Sequence, residues 1–351
     1  MLIKVNRTRT EKSSSVGLTA APATPAWIAE LKSAYRDPLD LLRDLGIART
    51  ATTVDPEAAT RFHFRVPRAF AERMQWGNPR DPLLLQVLPR GAELTPVAGF
   101  SHDPVGDADA ARSPGLLHKY HGRALLILTG GCAIQCRYCF RREYPYAEAV
   151  GRAPLTAALD LIARDPSLVE VILSGGDPLL HDDAVLGDLV TRLAALPHVK
   201  RVRIHSRLPI VIPTRVTPTL IAALTQTRLQ TVVVVHANHP QEIDHAVIAA
   251  CQALRAAGIT VLNQAVLLRE INDDVEILMA LSEQLFAAGV LPYYVHLLDR
   301  VHGTAHFEVS DETARHLQAA LRTRLPGYLM PRFVREVAGH PHKVPLHLNA
   351  E

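Results

Sequence analysis

From Arg123 onward the chain alternates short apolar runs with longer stretches whose apolar residues recur at helical spacing. The runs Arg123–Thr129, Leu168–Ser174, Val202–His205, Thr231–His236, Thr260–Leu268 and Tyr293–Leu298 read as strands. Between them Asp182–Ala195, Gln241–Ala257 and Asp274–Ala288 read as amphipathic helices. Gly258 and Gly289 sit where helix C-caps belong, and Thr217-Pro218 suits an N-cap followed by the first helical position. Near-continuous apolar strands imply a parallel sheet covered on both faces. Six βα units in succession predict an α/β fold, an open, six-stranded partial βα barrel, with its site at the C-terminal ends of the strands.

The pattern before this region is different. Trp27–Tyr35, Pro38–Leu45, Pro56–Phe64 and Pro67–Trp76 read as short helices broken by proline. The expected organisation is a mobile N-terminus over 1–20, a helical region over 21–110 and the barrel over 111–325. The barrel ends in a helix at Asp311–Arg322, and a proline-rich C-terminal segment covers 326–351.

Composition adds limits. The chain has 351 residues, a net charge of +3 and 5% aromatic residues, which calls for no nucleic-acid partner. No apolar run is long enough for a signal peptide or a membrane span, and four cysteines do not make a disulfide framework. The expected location is the cytoplasm.

Three of those cysteines, Cys132, Cys136 and Cys139, fall within eight residues directly after the first strand, as C-x-x-x-C-x-x-C. A 4Fe–4S cluster normally takes four thiolates, so three leave one iron open for a further ligand. A structural zinc site is the plainer alternative, but it wants four closed ligands, usually from C-x-x-C pairs, and no second pair exists.

Ser174-Gly175-Gly176-Asp177 ends the second strand. Its glycines let a ligand approach the backbone, and its carboxylate can accept from an ammonium, although such a turn often uses glycine for geometry alone. Lysine is scarce, with six among 38 basic residues, and Lys343 alone follows Lys200. Lys343 and Lys119 are the candidates for a lysine that bonds a carbonyl cofactor. A lone surface lysine is otherwise an ordinary solvated charge.

The cysteine spacing, with aromatic Tyr138 before the last cysteine, is similar to the signature of radical S-adenosylmethionine (SAM) enzymes. Phe140-Arg141-Arg142, Ser174–Asp177, Asn263–Arg269, Pro292-Tyr293-Tyr294 and Lys343-Val344-Pro345 follow in order. Together these motifs resemble the lysine 2,3-aminomutase family over roughly residues 80 to 345.

The resemblance implies a radical SAM partial barrel with a C-terminal tail that binds pyridoxal 5′-phosphate (PLP). It gives the cluster to Cys132, Cys136 and Cys139, and SAM contacts to Tyr138 and to Ser174, Gly175, Gly176 and Asp177. PLP falls to Lys343, the substrate carboxylate to Arg141, and the ε-ammonium to Asp299 and Glu336. Glu336 stands where the family has aspartate. Asp299 and Glu336 also have a plain alternative, pairing with Arg300 and Arg335. Arg123 and Lys119 are candidates for the PLP phosphate, while His236 and His239 are as well explained as hydrogen-bonded polar residues.

The chain ends eight residues after Lys343 and has Asp274 where longer family members place a cysteine. Both features resemble the short branch that makes (R)-β-lysine for elongation factor P. That implies L-lysine as substrate, a functional link to the factor and its lysyl ligase, and an external electron donor. The rival readings are an aminomutase for another amino acid and an iron–sulfur or zinc interaction module. Glutamate fits poorly because Asp299 and Glu336 would repel its side chain.

Overall fold

The computed structural model describes residues 24–347; the segment expected to be mobile, 1–20, lies outside them. Ten strands form one sheet in sequence order: β1 Ala111–Ser113, β2 Leu116–Tyr120, β3 Arg123–Thr129, β4 Glu170–Gly175 and β5 Arg201–Ser206, then β6 Gln230–Val235, β7 Thr260–Val266, β8 Leu291–His296, β9 Arg332–Arg335 and β10 Val344–Pro345. Strands β3 to β9 pair in parallel, and β1, β2 and β10 pair antiparallel at the two edges. The six expected strands are β3 to β8. The edge strands escape the sequence pattern because they have two to five residues and lack a run of apolar ones.

The strands are not apolar on both faces. Along β5, buried Val202 and Ile204 alternate with half-buried Arg203 and His205. Along β7, buried Val261, Asn263 and Ala265 alternate with half-buried Leu262, Gln264 and Val266. One cavity of about 440 Å³ is lined by residues of β3, β4, β5, β7, β8 and β9, so the sheet curves around it as an open barrel. The inner face is therefore a chamber wall with polar positions, which corrects the expectation of a sheet covered on both sides.

Asp37-Pro38, Asp55-Pro56 and Asp81-Pro82 each start a short helix, and each aspartate accepts hydrogen bonds from the first turn. Proline at N1 loses nothing there, because that N–H has no partner within the helix. Leu41, Leu42, Leu83, Leu84 and Leu88 of this region belong to the same buried cluster as Leu208, Val211 and the strand residues. Its polar side chains consequently reach the sheet's upper loops: Arg65 Nη1 donates to Cys132 O at 3.1 Å, and Glu93 Oε1 accepts from Arg137 Nε at 2.9 Å.

Candidate active site

The cysteine loop leaves β3 and is stitched to the loop that leaves β4. Gly176 N donates to Thr129 O at 2.5 Å and Asp177 N donates to Gly131 O at 2.7 Å. Two glycines make this approach possible. Gly175 has φ +123°, and a Cβ on Gly176 would stand 2.0 Å from Gly131 O. Here glycine is demanded by contact between two backbones.

Cys132, Cys136 and Cys139 all line the cavity and none is in a disulfide. Burial, and then the neighbouring thiols, push Cys132 well up and Cys139 up to about 11. Thiols held in this way need a cation to become thiolates, and clustered iron supplies one. Cys251 instead sits fully buried in the helix His245–Ala256. Cys136 Sγ accepts a hydrogen bond from Arg207 Nη1 at 2.7 Å. Arg207 is itself buried and donates Nη2 to Gln86 Oε1 at 2.6 Å and to Glu242 Oε2 at 3.0 Å.

Two of the sequence-expected contacts turn out differently. Asp177 accepts from Leu179 N, Ser206 Oγ, Arg207 N and Leu208 N, at 2.7 to 3.1 Å. Four donors fill the carboxylate's lone-pair positions, so Asp177 braces the loop from inside and is not open to a ligand ammonium. The Tyr138 ring packs with Leu85, Phe100, Leu268 and Phe307, and its hydroxyl accepts from Asn238 Nδ2 at 2.6 Å. What Tyr138 offers the cavity is ring surface, since its hydroxyl is committed to the interior.

The other end of the cavity carries linked charges. Arg141 donates Nε to Asp107 Oδ2 at 2.7 Å and Nη1 to Ser174 Oγ at 3.3 Å. Lys119 Nζ lies 2.7 Å from Asp107 Oδ1, 2.8 Å from Val105 O and 3.5 Å from Glu336 Oε1. Lys343 Nζ donates to Glu336 Oε2 and stands 5.9 Å from the centre of the Tyr294 ring. Charge thus runs from Arg141 through Asp107, Lys119 and Glu336 to Lys343. Lys119 spends its donors inside this chain, which removes it as a free phosphate clamp. Arg123 lines the cavity over the Tyr120 ring, where Arg203 and Arg332 join it.

Asp299 is the exception. Its Oδ1 is buried without a hydrogen-bond partner among the described residues. Burial, then the charge of Glu336, raises its carboxyl to about 7. Burial would raise Glu336 too, but the charge and hydrogen bond of Lys343, with Lys119 and the Tyr120 hydroxyl, hold it down at about 2. Arg300 pairs with Glu308 and Arg335 with Asp311, so neither takes Asp299 or Glu336 as a surface partner. An unpaired buried carboxyl is costly unless a cation arrives.

The histidines separate. His236 lines the cavity 3.1 Å from Gln264 Nε2, and burial with Arg207 pushes it down to about 3. His239 Nδ1 accepts from Gln241 N and caps a short turn, away from the cavity. Asp274 caps the helix Val275–Ala287, accepting from Glu276 N and Ile277 N. Sequence reading missed Asp107, Arg207 and Gln86. A lone charged residue in a loop carries no periodic signal, and these are defined by what they meet across 34 to 121 residues.

Residues 126–281 match the model of the radical SAM superfamily. The chain is 49% identical over 329 residues to the L-lysine 2,3-aminomutase of Escherichia coli strain K12, covering 93% of this chain and 96% of that one. It is 46% identical over 318 residues to the Haemophilus influenzae protein of the same name, covering 90% and 94%. With the L-lysine 2,3-aminomutase of Clostridium subterminale it shares 36% over 274 residues, covering 77% and 65%.

Proposed function

The chain belongs to the lysine 2,3-aminomutase family of radical SAM enzymes, and from that premise we propose that it isomerises L-lysine to (R)-β-lysine with PLP held on Lys343. We further propose that the product serves the lysyl ligase that modifies elongation factor P. The observation that carries the reading is the make-up of one cavity. It gathers the three cysteines, Ser174–Gly176, Arg141, Asp299, Glu336 and Lys343 from segments spread over more than half the chain.

Cluster and SAM, when bound, would supply a 5′-deoxyadenosyl radical, and PLP would supply a conjugated carbonyl carbon that holds the substrate's amino nitrogen as it moves between carbons. The chain's own residues position and select. Arg141 offers a fixed guanidinium to a carboxylate, because Asp107 holds its Nε edge and leaves the other end toward the cavity. Asp299 offers an unpaired carboxyl, which suits the ammonium at the far end of a lysine. Glu336 keeps the Lys343 ammonium in place. A cofactor bonded to Lys343 would take that nitrogen from Glu336, whose remaining partners are Lys119 and Tyr120. The strand walls of the cavity limit the water that reaches a reactive radical.

The proposed link to elongation factor P rests on the short branch that the sequence resembles, on Asp274 capping a helix in place of the cysteine, and on near-complete coverage of the first two relatives.

The test is anaerobic incubation of the enzyme with SAM, PLP, a reductant and L-lysine, with isomers resolved by mass spectrometry. β-Lysine formation that needs all three additions is expected; its absence in cluster-loaded, PLP-loaded protein sinks the proposal. For the cellular role, a deletion strain should lose the β-lysyl mass on elongation factor P and regain it with added (R)-β-lysine. An unchanged factor mass would leave the isomerase and remove the translation role.

A further inference from the structure

Outside the cavity, three side chains from separate segments converge at the surface. Ser101 and Val301 form a parallel bridge in which Ser101 N donates to Arg300 O at 2.9 Å and His302 N donates to Ser101 O at 3.1 Å. That register sets His102 beside His302, with ring centres 4.2 Å apart and planes at 83°. Glu143, four residues past Cys139, reaches the same point. Its Oε2 contacts His102 Nδ1 and lies 3.6 Å from His302 Nδ1. The three ligand atoms fall within 4.8 Å of one another.

An ion pair explains this arrangement incompletely. An exposed histidine–carboxylate pair is worth little, and one partner would suffice. Here two imidazole nitrogens are aimed at one carboxylate oxygen. Two imidazoles and a carboxylate form a donor set suited to a borderline divalent ion, with further positions open to water. The frame also exists without the ion, because Arg142 and Gly303, the neighbours of Glu143 and His302, are joined by Arg142 Nη1 donating to Gly303 O at 3.4 Å. His102 and Glu143 are exposed, so an ion can enter from solvent.

We propose that His102, Glu143 and His302 bind a divalent first-row transition ion, zinc being the probe, which clips together three limbs of the catalytic rim. Each limb carries a charged residue of the site nearby in sequence: Asp107, the partner of Arg141, five residues after His102, and the cavity residues Arg141 two before Glu143 and Asp299 three before His302. The ion fixes the spacing of these limbs and takes no part in the radical chemistry.

The experiment uses cluster-loaded enzyme, kept anaerobic, washed with chelator and then titrated with zinc. Metal analysis after desalting should find one zinc per chain beside an unchanged iron content. Zinc-edge X-ray absorption should show nitrogen and oxygen neighbours at ~2.0–2.1 Å with imidazole outer-shell scattering and no sulfur at ~2.3 Å. H102A and H302A should each weaken zinc binding at least tenfold while keeping iron, and zinc should raise the melting temperature of the parent enzyme but not of the double variant. Sulfur ligation, zinc retained by the double variant, or no stoichiometric zinc at micromolar concentration would each overturn the site.

Discussion

Arg207 donates a hydrogen bond to Cys136 Sγ at 2.7 Å. The contact joins the end of β5 to the middle cysteine of the loop after β3, and Glu242 and Gln86 hold the guanidinium from behind. A buried cation against a cluster sulfur stabilises the state with one more negative charge, which is the reduced cluster. Arg207 is thus predicted to be a positioning residue that eases delivery of an electron to a cluster held by these thiols.

Replacing Arg207 and Glu242 together by glutamine removes the cation without stranding the anion. The cluster's midpoint potential, followed by electron paramagnetic resonance in a redox titration, should fall by about 60 mV or more, the shift that corresponds to a tenfold change in a one-electron equilibrium. Iron content should stay normal. An unmoved potential with intact iron would show that the contact is only structural.

Asp299 sets a pH dependence. Its carboxyl sits near 7 in the ligand-free enzyme, and only the anion attracts an ammonium. The kcat/KM for lysine should therefore rise with pH across the neutral range, and Asp299→Asn should lose that limb along with most turnover, with cluster and PLP retained. Stability runs the other way. A carboxyl raised on folding contributes stability that is present below its unfolded value and is lost as pH rises through about 7. Melting curves should show the ligand-free parent losing ground to Asp299→Asn between pH 4 and 8. Glu336, held at about 2, gives the opposite slope, contributing above its ordinary value and losing that only as pH falls toward 2. A flat kcat/KM profile across pH 6 to 8 would remove Asp299 from substrate binding.

Much of this was legible in the chain, and the limits have physical causes. Periodicity located β3 to β8 within two or three residues at each end, because parallel strands need apolar side chains to bury against helices. The cysteine loop was legible because its three thiols lie within eight residues, and the structure places all three along the cavity. Asp177 was read as a ligand contact because a glycine turn followed by a carboxylate looks open on paper. Its four donors come partly from Ser206, Arg207 and Leu208, which only the β4–β5 pairing brings near. Asp107 had no signal at all, and its meaning comes from Arg141 and Lys119 arriving on either side.

Asp107 is predicted to act through its partners. Removing its charge by Asp107→Asn leaves the Arg141 and Lys119 cations close together without the anion between them. The loss of one partner from a buried charge pair destabilises by about 3–5 kcal/mol, so the melting temperature should drop. Measured below that temperature, KM for lysine should rise at least tenfold, about 1.4 kcal/mol, with cluster content unchanged. Asp107→Glu should recover part of it. A stability loss with an unaltered KM would confine Asp107 to the fold.

The last prediction concerns which lysine carries PLP. Lys119 and Lys343 both approach Glu336, and both line the cavity. Their surroundings differ. Lys119 Nζ is drawn to Asp107, to Val105 O and to Glu336, and freeing it would leave the buried Asp107 carboxylate with Arg141 as its one remaining cation. Among the described residues Lys343 pairs with Glu336 alone; it stands before the Tyr294 ring and belongs to a short segment anchored through the pairing of β10 with β9. Its amine can be given up to a covalent bond at the loss of one contact. Borohydride reduction of the PLP-loaded enzyme followed by peptide mapping should therefore place the pyridoxyl group on Lys343. Lys343→Ala should abolish the PLP absorbance band while leaving the iron–sulfur spectrum, and Lys119→Ala should keep both. A pyridoxyl group found on Lys119 would reverse the roles given to the two lysines and to Glu336.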